Sequence, residues 1–226
     1  MGVVSAAGAI LSQRGSELAL ETLRLEPGAS IEVGDAGHDV LLFAFAGAGM
    51  LAGDAVSAGS AALLLEGEQA ELGAGDDGLA TVRVTIGGDV DLHAPMGRRE
   101  RIVSIDHVEP GKATGSRSFQ VLFGPHNGST RATMFAGYIP PGRAPWHYHL
   151  YDEIVWVWRG PGRYHVGETI EELPDGAAFR ITPREVHIVE NLSEEREMAV
   201  LGIFTPCGSP SAAYLRADVA ASYVIA

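Results

Sequence analysis

The sequence predicts an all-β protein made of two copies of one β-rich unit. Short apolar runs, of which residues 41–45, 81–86 and 154–158 are the clearest, lie between clusters of glycine, proline, aspartate and serine. The 226 residues include 29 glycines and 12 prolines, a pattern typical of many short strands joined by tight turns. Residues 81–86 alternate between polar and apolar side chains, so one face of that strand should be buried. Helix is expected only near the termini, for instance over residues 211–221.

Internal repetition predicts that the β-rich unit is doubled. Residues 38–49 and residues 151–162 both contain an aspartate, a run of strand residues and then Gly-x-Gly, at an offset of 160 − 47 = 113. Two copies of roughly a hundred residues each fit the size of small domains. We therefore predict an N-terminal domain over residues 1–100 and a C-terminal domain over residues 101–226, joined at the polar stretch near residues 96–101.

Composition and charge exclude several function classes. The chain has 16 basic and 29 acidic residues, a formal charge of −13, which argues against a nucleic-acid partner and against an anionic membrane surface. Two uncharged windows, residues 40–53 and 198–215, are too short or too broken by proline and glycine to span a membrane. No basic residue precedes Arg14, and Cys207 is the one cysteine. These features predict a cytoplasmic protein without a disulfide framework.

Four residues of the second half have the pattern of a metal site. His147 and His149 are two apart, so in a strand both imidazoles point to one face. Glu153 follows at the start of the next apolar run, and His187 lies in a segment that reads as a turn and then a strand. A His-x-His pair alone often faces solvent or makes a core hydrogen bond. Three imidazoles with one carboxylate, however, suit a divalent first-row metal with open coordination positions.

These residues stand in two motifs that resemble those of the cupin superfamily. The first motif is Gly142-x4-His147-x-His149-x3-Glu153-x6-Gly160. The second is Gly176-x6-Pro183-x3-His187-x3-Asn191. Compared with the family pattern, the spacing before the first histidine is four rather than five. The proline stands one residue later than usual, and Glu185 occupies the position two after it, where the family has glycine. These departures concern turn residues and not the ligand positions.

The resemblance implies an all-β chain of two tandem jelly-roll barrels, with the metal in the second barrel. It implies one divalent transition metal per chain, with Fe, Mn, Ni, Cu and Zn as candidates. The ligands that it implies are His147, His149, Glu153 and His187. The repeat offsets place no imidazole at the corresponding positions of the first half. The first barrel is therefore expected to be a degenerate cupin barrel without metal ligands.

Strand parity predicts an interface on the outer face of residues 154–158. If Glu153 points into the barrel, Val155 and Val157 do too, and Ile154, Trp156 and Trp158 point outward. Outward tryptophans would form a large apolar patch unless the first barrel or a second subunit covers them. The alternative is a shifted parity in which a tryptophan lines the pocket. We expect the interface, and a homodimer.

The resemblance leaves the reaction class open, because cupins perform several. The first hypothesis is a quercetinase-like dioxygenase, a metal-dependent oxidoreductase that acts on a small enolic or hydroxylated substrate. Glu153 would be the catalytic residue there, either as a ligand or as the base that takes the hydroxyl proton. The second is an isomerase or lyase of a sugar acid or keto acid, with Arg143, Arg180 and Arg184 as candidates to hold a carboxylate. The third is a non-catalytic cupin that binds a small molecule.

Overall fold

The computed structural model describes residues 11–12, 17–113 and 116–215, and within them the chain is almost entirely β structure. The strands of the first half are β1 (Leu11–Ser12), β2 (Leu18–Leu25), β3 (Ser30–Gly34), β4 (Asp39–Leu51), β5 (Asp54–Ser57), β6 (Ser60–Leu64), β7 (Gln69–Ile86) and β8 (Ile102–Ser104). A 3-10 turn, Ile105–His107, follows β8. The strands of the second half are β9 (Gly111–Lys112), β10 (Ser118–Phe123), β11 (Thr133–Ile139), β12 (Gly142–Arg143), β13 (His147–Tyr148), β14 (Asp152–Arg159), β15 (Gly162–Val166), β16 (Thr169–Leu173), β17 (Ala178–Ile181), β18 (His187–Asn191), β19 (Met198–Thr205) and β20 (Tyr214–Leu215).

The first barrel, β1 to β8, is one antiparallel sheet around an aliphatic core. Its strand order is β1-β2-β7-β4-β6-β8, with β3 paired to β7 and β5 paired to β4. The pairing of β4 with β7 shifts register between Ala44 and Ala46 and again between Gly47 and Gly49. Such bulges bend a strand and increase its twist, which lets one sheet curl. Gly47 is required at this bend because its φ is +78° and a Cβ there would overlap the carbonyl oxygen of Gly78.

The second barrel, β9 to β20, has two antiparallel sheets that enclose a core and the candidate site. One sheet has the order β17-β14-β19-β11-β10-β9, and the other has the order β16-β15-β18-β13-β20 with β12 paired to β18. The buried core includes Val155, Val157, Phe179, Ile181 and Met198. The structure thus confirms the predicted fold, an all-β chain of two tandem jelly-roll barrels.

The prediction of a helix over residues 211–221 is wrong for those residues that the structure describes. Residues 211–215 form a turn followed by β20 (Tyr214–Leu215), and residues 216–221 lie outside the described residues. The physical reason is strand pairing: the free edge of β13 accepts β20, with His147 opposite Leu215 and Tyr148 opposite Tyr214. In the described part of the chain, no helix is long and apolar enough to cross a membrane.

The two barrels share one apolar core, and the tryptophans of β14 lie in it. Trp158 contacts Phe43 edge to face with ring centroids 5.0 Å apart, and Trp156 contacts Phe45 at 4.8 Å. Ile154 belongs to the same cluster, which combines side chains from β2, β4, β6 and β7 with side chains from β10, β11, β14 and β19. The predicted parity of β14 and its burial at the barrel–barrel interface are therefore confirmed.

An ion-pair network also joins the barrels. Arg131 donates to Asp39 at 3.1 Å and to Glu66 at 2.6 Å, and both carboxylates belong to the first half. The strand β8 pairs with β6 although it follows residue 100. The division into domains 1–100 and 101–226 stays a prediction.

Candidate metal centre

Two facing sheets bring the four predicted ligands to one cavity. His147 of β13 lies directly opposite His187 of β18 in the strand register, and their ring centroids are 4.4 Å apart. His149 follows β13, and its ring centroid is 5.2 Å from that of His187. Glu153 is on β14 in the other sheet, with its Oε2 2.9 Å from Nε2 of His149. The imidazoles and the carboxylate thus reach the cavity from opposite walls.

Backbone carbonyl groups orient all three imidazoles in the same way. Nδ1 of His147 is 2.8 Å from the oxygen of Pro145, Nδ1 of His149 is 3.1 Å from that of Tyr151, and Nδ1 of His187 is 2.9 Å from that of Glu185. A carbonyl oxygen only accepts hydrogen bonds, so each Nδ1 carries the proton. Each Nε2 is then left with its lone pair, the form in which neutral histidine binds a metal.

Burial keeps two of these imidazoles neutral. All four side chains are between 2% and 6% exposed. Burial, with a smaller contribution from the charge of Arg117, lowers the pKa of His147 to about 4. Burial and then the neighbouring His147 hold the pKa of His187 well below its usual range. Near neutral pH, neither imidazole therefore holds a second proton, on Nε2, that would compete with a cation.

The chemistry of the donor set fits a cation. The Nε2 atom of His149 is buried without a hydrogen bond although it lies near the Glu153 carboxylate. A lone pair that faces a carboxylate oxygen needs a proton or a metal ion between them. No group of three or more His, Cys, Asp or Glu side chains among residues 17–113 and 116–215 has the spacing of a ready metal site. Metal binding by the four residues stays a prediction, supported by this unsatisfied atom.

The cavity that these residues share is small and largely apolar. Its volume is about 90 Å³. The apolar part of its wall includes Phe119, Phe135, Ile139, Val189 and Val200. Such a wall excludes water and strengthens every electrostatic interaction inside.

Arg117 lines this cavity, although no motif in the sequence indicated it. The three arginines proposed from the sequence as carboxylate holders lie elsewhere. Arg143 pairs with Glu190 at 3.0 Å, and Arg180 pairs with Asp152 at 2.6 Å. Arg184 is exposed in a turn with a φ of +65°. None of these three is among the described residues that line the cavity.

Tyr151 and Gly202 also belong to the site and were missed. The ring of Tyr151 stacks on His149 at 4.0 Å and on Phe204 at 3.9 Å. Tyr151 therefore holds the imidazole of His149 both through this ring contact and through its backbone oxygen. Gly202 of β19 lies beneath Glu153: a Cβ there would overlap the ring of Phe135 and lie 2.7 Å from Oε1 of Glu153. The signal for Tyr151 was its place inside the first motif, whereas nothing local marks Gly202.

The first barrel has a much smaller cavity. Its volume is about 10 Å³, and its lining includes Leu42, Leu51, Val56, Leu72 and Thr81. Side chains fill this part of the described interior, which leaves little room there for a ligand.

Comparisons with known proteins bear on the second barrel and on the whole fold. Residues 135–204 match the family described as "Cupin domain". A search of curated proteins finds no match. Among solved structures, a serine-to-alanine variant of Bacillus subtilis oxalate decarboxylase is similar with a TM-score of 0.73 and 15% identity, over 93% of this chain and 76% of that one.

Two further structures of the same Bacillus subtilis enzyme are similar. The one determined at pH 4.6 has a TM-score of 0.69 and 16% identity, over 84% of this chain and 68% of that one. The one that concerns its Mn(II) centres has a TM-score of 0.72 and 14% identity, over 93% and 76%. At these identities the likeness establishes the fold.

Proposed function

We propose that this chain, whose residues 135–204 match the cupin domain family, is a metal-dependent enzyme of the quercetinase-like dioxygenase kind. Its substrate would be a small enolic or hydroxylated organic molecule. The observation that carries the proposal is the set of three Nε2 lone pairs and one carboxylate in a buried apolar cavity.

One divalent transition metal would be held by His147, His149, Glu153 and His187. The Mn(II) centres of the structurally similar oxalate decarboxylase support a divalent ion, and the donor set also suits Fe, Ni, Cu or Zn. When bound, the metal would supply a Lewis acid for a substrate oxygen and, if redox active, a path for electrons to dioxygen.

The chain's own residues would do the rest of the chemistry. The Glu153 carboxylate is 5% exposed and faces the cavity, where it would accept the proton of a substrate hydroxyl through one of its oxygens. The apolar walls would exclude water, and Tyr151 would hold the ring of His149. Removal of the hydroxyl proton would leave an electron-rich enolate, the form that reacts with dioxygen.

A second function is favoured by Arg117. A guanidinium that lines the cavity suits a carboxylate, so an isomerase or lyase of a keto acid or sugar acid is the alternative. In that reaction Glu153 would move a proton next to a carbonyl group, and no dioxygen would be consumed.

Oxygen uptake by metal-loaded protein distinguishes these functions. We expect uptake with a flavonol or a 1,3-diketone, and Glu153→Gln should lower the rate by about 10²- to 10⁴-fold. Glu172→Gln, at an exposed carboxylate paired with Arg163, is the matched control and should leave the rate unchanged. Turnover of keto acids or sugar acids without oxygen uptake would favour the alternative. Metal binding without turnover of either class would leave a non-catalytic binding protein.

A further inference from the structure

The turn before β18 is held by one acidic side chain, Glu185, at a place where the chain departs from the family pattern. We propose that Glu185 is a positioning residue for the imidazole of His187. The proposal rests on the metal site proposed above, and it concerns how that site is kept in shape.

Both carboxylate oxygens of Glu185 are used by donors from two parts of the fold. The hydroxyl group of Tyr164 donates to Oε1 at 2.9 Å. The hydroxyl group of Thr182 donates to Oε2, and the backbone N–H of Thr182 donates to the same oxygen at 3.2 Å. Three donors therefore fix the direction of a single side chain, and charge-assisted hydrogen bonds of this kind are the stronger ones.

The backbone of Glu185 connects this network to the candidate ligand. Its N–H donates to the oxygen of Thr182 at 3.0 Å. Its own carbonyl oxygen accepts from Nδ1 of His187 at 2.9 Å. Because the side chain and the N–H are both held, the carbonyl group has a fixed direction, and it selects the tautomer that leaves Nε2 of His187 unprotonated.

The same turn also contacts the backbone of a second candidate ligand, His149. The N–H of Arg184 donates to the carbonyl oxygen of His149 at 2.7 Å. Arg184 is a non-glycine residue in the left-handed region, with a φ of +65°, a conformation that costs free energy for most residues. The contacts of Glu185 and Arg184 together hold the turn in this shape.

The hydrogen bond from Tyr164 distinguishes positioning of the His187 imidazole from ordinary turn formation. The bonds between Thr182 and Glu185 are local, whereas Tyr164 is on β15, where it pairs with Val189. Its ring is 2% exposed and packs 4.5 Å from Phe179. Tyr164 thus ties the turn to the sheet that carries His187. Groups that orient a metal ligand in this way affect metal affinity by about 10- to 100-fold when they are removed.

The test uses the full-length protein, the variants Glu185→Gln and Tyr164→Phe, and the control Glu172→Gln. Long-range ¹H–¹⁵N NMR spectra of the metal-free protein report the tautomer of His187 without any metal. Titration with Mn(II), followed by electron paramagnetic resonance, reports the affinity and the symmetry of the site. Thermal unfolding reports stability separately.

We expect the parent and the control to show the Nδ1–H tautomer of His187. Glu185→Gln should show a mixture of tautomers and about 10- to 100-fold weaker Mn(II) binding with an altered spectrum. Tyr164→Phe should shift both readouts in the same direction by less, and adding it to Glu185→Gln should cause little further change.

Two outcomes would overturn the positioning role. One is an unchanged His187 tautomer, with Mn(II) affinity within twofold of the parent, in both variants, even if the melting temperature falls. The other outcome applies if Glu185→Gln does not fold. In that case an unchanged His187 tautomer and an unchanged Mn(II) affinity in Tyr164→Phe, which loses a single hydroxyl group, would overturn the role. A parent that binds none of Mn(II), Fe(II), Ni(II), Cu(II) and Zn(II) contradicts the metal site itself, and the tautomer then still decides the role of Glu185.

Discussion

At the residue scale, a backbone carbonyl group close in the sequence sets the ring orientation of each candidate histidine ligand. The carbonyl partners of the three imidazoles are Pro145, Tyr151 and Glu185, each two residues from its histidine. The backbone groups that select the tautomers are therefore neighbours in the sequence. What the sheets add is the carboxylate of Glu153 and the apolar walls, which come from distant strands.

Gly202→Ala should damage this arrangement. The added Cβ would overlap Phe135 and press on Oε1 of Glu153, so we expect a loss of about 1–3 kcal/mol in the free energy of unfolding and weaker Mn(II) binding. Gly73→Ala is the matched control, because its Cβ meets only the Cβ of Ser30 at 3.8 Å among nearby described atoms. Urea unfolding and metal titration measure both effects. Equal metal affinity in the two variants would show that Gly202 does not support Glu153.

The sequence predicted the four candidate ligands but not the residues that surround them. His147, His149 and Glu153 are close in the chain, and strand periodicity places them on one face. Gly202 meets Glu153 only because β19 pairs with β14, and Arg117 enters the cavity from the segment before β10. Such neighbours depend on strand order and register, which local patterns do not encode.

At the element scale, β14 serves both the site and the barrel interface because its side chains alternate. Glu153 and Val155 line the cavity, whereas Ile154 and Trp156 belong to the core shared with the first barrel. This alternation was predictable from a period of two. The β20 strand was not, since its alanine-rich neighbourhood favours helix by composition, and only the open edge of β13 makes the extended form favourable.

Trp156→Ala should therefore destabilise the whole protein and not only one strand. Trp156 is 3% exposed and contacts Phe45, so we expect a loss of about 3–5 kcal/mol in the free energy of unfolding. Ile170→Ala is the control, because Ile170 is 58% exposed and should change stability by less than about 0.5 kcal/mol. Chemical denaturation followed by circular dichroism compares them. A loss below about 1 kcal/mol in Trp156→Ala would contradict the shared core.

At the scale of the whole molecule, a buried charge network accompanies the shared core. Burial raises the pKa of Asp39, while a hydrogen bond from the Glu66 backbone and the charge of Arg131 act against that rise. Because this carboxyl group has a raised pKa in the folded state, its ionisation costs stability as the pH rises. Arg131 limits that cost by pairing with Asp39 across the two barrels. Assembly into a homodimer stays a prediction.

Arg131→Met should lower the free energy of unfolding by about 3 kcal/mol at neutral pH, because it leaves a buried carboxylate without its cation. The pKa of Asp39 should then rise further. The loss should shrink as the pH falls through that pKa, since the protonated carboxyl group carries no charge. Denaturation at several pH values tests this, with Arg163→Met at an exposed pair as the control. A loss that does not depend on pH would contradict the assigned role of Asp39.

The most direct measurement of the metal site is elemental analysis of the untagged protein beside two double variants. His147→Ala/His149→Ala removes two candidate ligands, and His107→Ala/His126→Ala removes two exposed histidines as a matched control. We expect close to one divalent transition metal per chain in the parent and in the control, and almost none in the ligand variant. Equal metal content in all three proteins, or no metal in the parent after reconstitution, would contradict the site.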